Sequence, residues 1–505
     1  HIFEVENLRG WTMQTKQIQF DRIRKLGAGQ FVVECNVSAD SEIKSLLCVS
    51  ADVGDIRAAI TAGQIAVSGK IGVNVIYETE EGVDSADHVT DFSKLLSDEG
   101  VGDGAKALVD ATIADTETEL RGNSVAVRIV VQLSPTAVET QSLDVFDGED
   151  GTCEKRRTLS LIETVADIDA EVETEEKYSV GSGVEKVLGF TTAAMICKQT
   201  ATETGLSIDG EICADVIYLS DGEMCRKTFS MPFAKSIDAS ENCCALAVVS
   251  MKESALNVGG KADDATLTLT AKATVSGFVL RQFDEEVICD VYSPCHKLEF
   301  SCPCLSFDEI VDTGAYRERI SGSVSVADGE ADAARVVCAR VAECDLTSVT
   351  TKDGCIVTEG VVTACVVYET EDGGKSSVKV ELPYALDHEA RDVKEGDSAF
   401  VSAGCCDLFA KVKRGREIEV GATLAFSALA TRTCRATVVT EATVGEKLED
   451  DGEAIVVVSA KKGETAWDLA KRLCVRAEEV ESFNPSVEFP AEGGEKIVVY
   501  RMLAM

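Results

Sequence analysis

The chain has 505 residues, a length that predicts three or four domains, with ordinary apolar content for each to bury a core. Its 49 Lys and Arg against 88 Asp and Glu leave a formal charge of −39. Such a surface repels phosphate backbones and anionic lipid heads, which argues against nucleic acid and bare membrane as partners. Aromatics are few, at 17 Phe, 8 Tyr and 2 Trp; Val, Ala and Thr carry the bulk, a bias toward half-buried strands.

At the start, His1 to Gly10 contain no apolar stretch of the kind a signal peptide needs. Met13 is the first Met and directly precedes a predicted strand, Gln14 to Phe20, so residues 1–12 are expected to lie outside the natural protein. No run of about 18 apolar residues occurs anywhere, so no membrane span is expected.

One pattern then occurs three times. Gly69 to Tyr77, Gly210 to Tyr218 and Gly360 to Tyr368 each hold a Gly and a Tyr eight residues apart, with Gly82, Gly222 and Gly373 following. One face of each segment alternates: Ile71, Val73, Val75, Tyr77; Ile212, Ala214, Val216, Tyr218; Val362, Ala364, Val366, Tyr368. Strict alternation predicts a strand with one packed face, and the acidic, Gly-containing stretch after it predicts a hairpin turn. Downstream, Phe92 and Phe233 lie 15 residues after their Tyr and Tyr384 lies 16 after its own; a second alternating strand starts near Val125, Leu267 and Ile418. The period, about 140 to 150 residues, is that of a domain, so these are tandem domains of β-sandwich or barrel-like character. Helical patterning is sparse, with candidates only at Asp91 to Leu96 and around Asp52 to Ile60. Boundaries are expected near Phe146–Cys153 and Phe300–Asp308, with a linker across Gly445–Gly452.

Chemistry-bearing constellations are few. Cys289, Cys295, His296, Cys302 and Cys304 cluster, but without the Cys-x2–4-Cys spacing that tetrahedral zinc takes, so no metal site is expected. Cys243-Cys244 and Cys405-Cys406 read as a repeated structural feature, and the 20 cysteines as reduced structural thiols. Lys411 to Arg416 reads as a solvated hairpin turn. Four His and no nucleophile, phosphate-loop or dinucleotide motif predict no catalytic residues, no cofactor and no enzyme.

The last segment changes character. A short strand reaches Ser459, Gly463 turns the chain, and Thr465 caps a helix with Asp468 in its first turn. Leu469, Ala470 and Leu473 form that helix's packed face, and Trp467 covers the small core or its edge. A second short helix carries Val480 and Phe483 and ends at Asn484-Pro485. Gly493-Gly494 turn into a strand over Lys496 to Tyr500, completing a βααβ order. Residues 453–505 carry 7 basic and 9 acidic groups, so the remainder of the chain holds nearly all of the negative charge.

The Gly…Val-x-Tyr strand followed by Pro232-Phe233 resembles the SPOCS domain of sporulating bacteria. The run Gly463-Glu-Thr-x-Trp467-x-Leu-Ala with the later Asn484-Pro485 resembles a LysM module, although Ala466 and Arg476 depart from the usual pattern. The resemblance implies a mainly β chain: three tandem SPOCS-like units at 13–150, 151–305 and 306–445, then LysM at 453–501. The combination resembles clostridial spore morphogenetic proteins. It implies a non-catalytic scaffold of endospore coat and cortex assembly, at the forespore surface in the mother-cell cytoplasm, docking onto the coat-basement ATPase or other coat proteins and open to self-association. The LysM resemblance alone implies the alternative, binding of peptidoglycan N-acetylglucosamine. It places the glycan- or partner-binding groove between Gly463, Glu464, Thr465, Ala466 and Trp467 on one side and Asn484, Pro485 and Ser486 on the other.

Overall fold

A computed structural model of the chain describes residues 14–448 and 455–500, apart from 62, 98–100, 103, 240–241 and 262. The expectation about residues 1–12, and the second half of the linker expected over Gly445–Gly452, lie outside the described residues. The architecture is mainly β, as expected. Among the described residues no helix is long and apolar enough to cross a membrane.

The first unit holds β1 (Thr15–Lys25), β2 (Gly29–Ser38), β3 (Ser45–Thr61), β4 (Gln64–Glu78), β5 (Val83–Ser97), β6 (Lys106–Arg121) and β7 (Ser124–Phe146). They form two antiparallel sheets. One is β3-β4-β5; in the other, β7 has β6 on one edge and β1 and β2 end to end along the other. Ile71, Val73, Val75 and Tyr77 from the first sheet meet Val125, Val127, Ile129 and Val131 from the second, which is the core of a sandwich.

The second unit holds β8 (Cys153–Ser179), β9 (Lys186–Thr202), β10 (Gly205–Ser220), β11 (Glu223–Asp238), β12 (Cys243–Lys261) and β13 (Asp264–Tyr292). Here one 27-residue strand, β8, takes the place of β1 and β2 together. After β14 (His296–Ser301), the third unit repeats that plan with β15 (Cys304–Ser325), β16 (Ala333–Lys352), β17 (Cys355–Thr370), β18 (Lys375–Glu389), β19 (Ser398–Arg414) and β20 (Glu417–Thr437). The sheets are β8-β13-β12 with β9-β10-β11, then β15-β20-β19 with β16-β17-β18. β21 (Glu441–Lys447) pairs with β14.

Turn chemistry sets the hairpins. Asp221 (φ 51°) and Gly222 (φ 73°) form the two-residue β10–β11 turn, both in the left-handed region such a turn requires. Lys411 to Arg416 does contain the β19–β20 turn, with Arg416 ion-paired to Asp332 at 3.3 Å.

Both helical candidates are strands. Asp91 to Leu96 lies in β5, laddered to β4 with Phe92 opposite Gly69. Asp52 to Ile60 lies in β3, whose register to β4 slips between Gly54 and Arg57 around Asp55 at φ 51°. The bulge breaks the alternation that would have marked a strand. The two Cys-Cys pairs are not equivalent either: Cys243 opens β12 opposite Arg281, whereas Cys405 stands inside β19 opposite Leu424.

The central strands are packed on both faces, not one. Ile76, Ile217 and Val367, each just before its Tyr, are 0% exposed although they point away from their own sandwich. They meet in one cluster with Leu47, Leu188 and Cys338, because the units close on one another in a ring. Asn74 Nδ2 donates to the Leu188 carbonyl at 3.0 Å, Arg226 to the Leu408 carbonyl at 2.9 Å, and Ser377 to the Leu46 carbonyl at 3.5 Å, linking units one to two, two to three and three to one. Phe20, Leu161 and Phe307 from β1, β8 and β15 meet in another such cluster.

The C-terminal unit is β22 (Ile455–Ser459), α1 (Ala466–Leu473), α2 (Ala477–Phe483) and β23 (Lys496–Tyr500), with β22 antiparallel to β23.

Candidate functional site

In the C-terminal unit, Thr465 caps α1. Its hydroxyl accepts from the Asp468 amide at 3.2 Å, and the Asp468 carboxylate accepts from the Thr465 amide at 3.0 Å. These bonds satisfy amides that a helix start leaves open; the Thr465 hydroxyl, donating to Asp468 Oδ2 at 2.7 Å, and then the Thr465 amide hold Asp468 below the usual carboxylate range. Arg476 offers α2 no side-chain cap; the Glu479 carboxylate instead takes the Arg476 amide at 3.2 Å.

Of the eight residues expected to line a groove, Gly463, Glu464 and Thr465 precede α1, Ala466 and Trp467 open it, and Asn484, Pro485 and Ser486 follow α2, and most of their polar groups are engaged within the protein. The Gly463 amide donates to the Ala491 carbonyl at 2.8 Å, and the Ala491 amide to the Glu464 carbonyl at 2.9 Å. The Glu464 carboxylate takes the Lys461 amide at 2.8 Å and Arg472 at 2.9 Å. Ala466 is buried in the small core with Leu469, Ala470 and Leu473. Asn484, 6% exposed, bonds the Val480 carbonyl and both backbone groups of Val498, each at 2.8 Å, tying α2 to β23. Gly463, Pro485 and Ser486 remain exposed.

Trp467 has a use that sequence reasoning missed. Its Nε1 donates to Asp290 Oδ2 at 2.8 Å and its ring meets Tyr292 edge-on at 4.9 Å. Lys471 pairs with the same Asp290 at 2.5 Å, and the Tyr292 hydroxyl donates to the Val475 carbonyl at 2.8 Å. Both partners lie at the end of β13, so α1 is docked on the second unit. A local reading could not find this, because the partners lie well over a hundred residues away.

The outer face of the same unit is apolar and open. Ile455, Val457, Phe483 and Tyr500 are 57%, 58%, 42% and 49% exposed. Ile455 stands opposite Tyr500 in the ladder, and the Phe483 and Tyr500 rings pack edge-to-face at 4.8 Å. Large apolar groups gathered on one face in this way mark a binding surface.

A second site lies where the three sandwiches meet. A cavity of about 230 Å³ is walled by all three, with Asp52 and Asp110 from unit one, Cys213, Asp215 and Arg226 from unit two, and Glu343, Cys405 and Asp407 from unit three. Arg226 and Asp215 pair at 2.7 Å, and Glu343 takes Lys379 at 3.0 Å. Asp52 has no such partner among the described residues: burial pushes its carboxyl up to about 6, against the opposing pull of the Arg340 charge and the Gly72 amide. Burial also raises Asp110. Among the described residues, no group of three or more His, Cys, Asp or Glu is disposed to hold a metal ion.

A family model described as SipL, SPOCS domain matches residues 42–121, which span β3 to β6 of the first unit. Over that stretch the chain is similar to a SPOCS domain. No curated protein and no solved structure matches it.

Proposed function

We propose that the chain is a non-catalytic scaffold of endospore coat and cortex assembly, working at the forespore surface, whose C-terminal unit is a LysM fold used to dock a protein. The partner is the coat-basement ATPase that the sequence resemblance implies. The observation that carries this reading is the exposed apolar face of Ile455, Val457, Phe483 and Tyr500, on a unit held firmly to the rest of the chain through Trp467 and Asp290. Such a face suits a protein surface, with aromatic anchors to fill a partner's pockets. The groove across the unit keeps few free polar groups for acetamido sugars, since Gly463, Glu464 and Asn484 spend theirs internally.

The test uses the full chain and purified ATPase. Val457→Lys and Tyr500→Asp are expected to abolish capture of the ATPase, while Gly463→Arg and Ser486→Arg leave it intact. Capture that survives the first pair would overturn the reading. The second reading, binding of peptidoglycan, draws support from the exposed rim of Gly463, Pro485 and Ser486. Sedimentation with purified peptidoglycan, lost in the rim variants and kept in the face variants, would favour it instead.

A further inference from the structure

Two cysteines from different units meet where the ring closes. Cys48, on β3 of the first unit, is 2% exposed. Cys365, on β17 of the third, donates from Sγ to the Leu47 carbonyl at 3.3 Å, which sets its sulfur against the peptide bond leading into Cys48. The two cysteines thus pack in one buried cluster although more than three hundred residues apart in the chain.

A buried cation adjoins them. Arg340, the cross-strand partner of Cys365, is 0% exposed. Its Nη1 donates to Asn74 Oδ1 at 2.5 Å, while Nε and Nη2 have no hydrogen-bond partner among the described residues. A desolvated guanidinium is costly, so the position favours a negative charge beside it. The hydrogen bond from Cys365 and then the Arg340 charge draw the Cys48 thiol below its usual value, against burial, and Cys365 is pushed well above its own. Of the two, Cys48 is the readier to lose its proton and Cys365 the readier to keep it. Cys338, the third thiol nearby, is pushed up by burial and stays protonated.

We propose that Cys48 and Cys365 are an oxidative modification site, forming a disulfide that staples the first unit to the third and closes the ring covalently. The oxidant is a hydroperoxide. The Cys48 thiolate attacks one peroxide oxygen, the O–O bond breaks, and the departing hydroxide takes a proton to become water, leaving a sulfenic acid. The Cys365 sulfur then attacks the Cys48 sulfur. The S–S bond forms, the S–O bond breaks, and the hydroxyl leaves as water with the Cys365 proton. Two thiols and one hydrogen peroxide give one disulfide and two waters.

The test treats the folded, full-length chain with hydrogen peroxide, then alkylates free thiols in denaturant and digests without reduction. A peptide pair joining Cys48 to Cys365 is expected, two hydrogens lighter than the sum of its parts and split by dithiothreitol. It should be lost in Cys48→Ser and in Cys365→Ser and kept in Cys338→Ser. Without any variant, the wild-type thermal midpoint should rise on oxidation and fall back on reduction, because a cross-link spanning so long a segment restricts the unfolded chain. Recovery of Cys48 and Cys365 as alkylated thiols under conditions that fully oxidise the exposed Cys295 and Cys304 would overturn the proposal. A Cys48–Cys338 link in place of the expected one would overturn it as well.

Discussion

Trp467 donates its indole N–H to Asp290 at 2.8 Å, and that one carboxylate also takes the Lys471 ammonium, so a single side chain of the second unit holds two residues of α1. Removing it leaves a partly buried indole N–H and a cation without their acceptor. Asp290→Ala is expected to weaken the docking by about 1–3 kcal/mol, the range for losing a charged hydrogen-bond partner. Hydrogen exchange at the α1 amides and over the end of β13 should accelerate, while exchange in the first and third units stays the same. Unchanged exchange at α1 would show that the C-terminal unit is held by other contacts.

Asn74 and Arg340 make an asymmetric pair. Asn74 is 5% exposed and gives Arg340 its one hydrogen bond, while its own amide reaches Asp87 at 2.7 Å and Leu188 at 3.0 Å. Asn74→Ala strands a buried cation and should cost about 3–5 kcal/mol. Arg340→Met removes the charge and keeps most of the volume, so its cost should be far smaller, or the change should stabilise. Denaturant midpoints of the two variants at one pH check this ordering.

The aromatic rings that follow the central strands lie over its glycines: Phe92 pairs with Gly69, Phe233 with Gly210 and Tyr384 with Gly360. The space left for a methyl differs. At Gly69 it would stand 2.7 Å from Ile56 Cδ1 and 2.8 Å from Phe92 Cε1, both atoms of side chains. At Gly210 it would stand 2.5 Å from the Met195 carbonyl oxygen, and at Gly360 it would overlap the Asp345 carbonyl. Backbone cannot turn aside as a ring can. Gly210→Ala and Gly360→Ala should each cost about 3 kcal/mol and Gly69→Ala about 1 kcal/mol, by urea denaturation.

These glycine–aromatic pairs mark how much of the fold is legible locally. Tyr77, Tyr218 and Tyr368 mark three strands because alternation reports one buried face directly. Thr465, Asp468 and Asn484-Pro485 mark the βααβ unit because caps and turns are local chemistry. What stays hidden depends on closure of the ring. Nothing near Ile76 says that a second face is buried, since its neighbours Leu188 and Val367 come from other units. The bulge at Asp55 disguises β3 as a helix, and β8 spans what is two strands in the first unit. Among the candidate site residues, Trp467 reads from the sequence as lining a groove, but binding and scaffold roles use the same residue types, and only its distant partner Asp290 distinguishes them.

Asp52 makes stability depend on pH in a direction unusual for a carboxylate. Its folded-state value of about 6 lies above the ordinary value of 3.8, because burial outweighs the pull of Arg340 and of the Gly72 amide. Between those two values the folded state therefore binds more protons than the unfolded state, and stability falls as pH rises. The contribution is whole below about pH 4, is lost progressively up to about pH 6 and stays lost above it, a total of about 2–3 kcal/mol. Asp110, Asp312 and Asp345 are raised by burial as well and tilt the curve the same way. Asp52→Asn keeps an acceptor for the Gly72 amide and removes the charge. It should flatten this part of the profile and raise stability at pH 7.5 by up to the same amount. Urea midpoints of the two proteins from pH 4 to 7.5 measure both effects, and parallel profiles for the wild type and the variant would show that Asp52 does not titrate there.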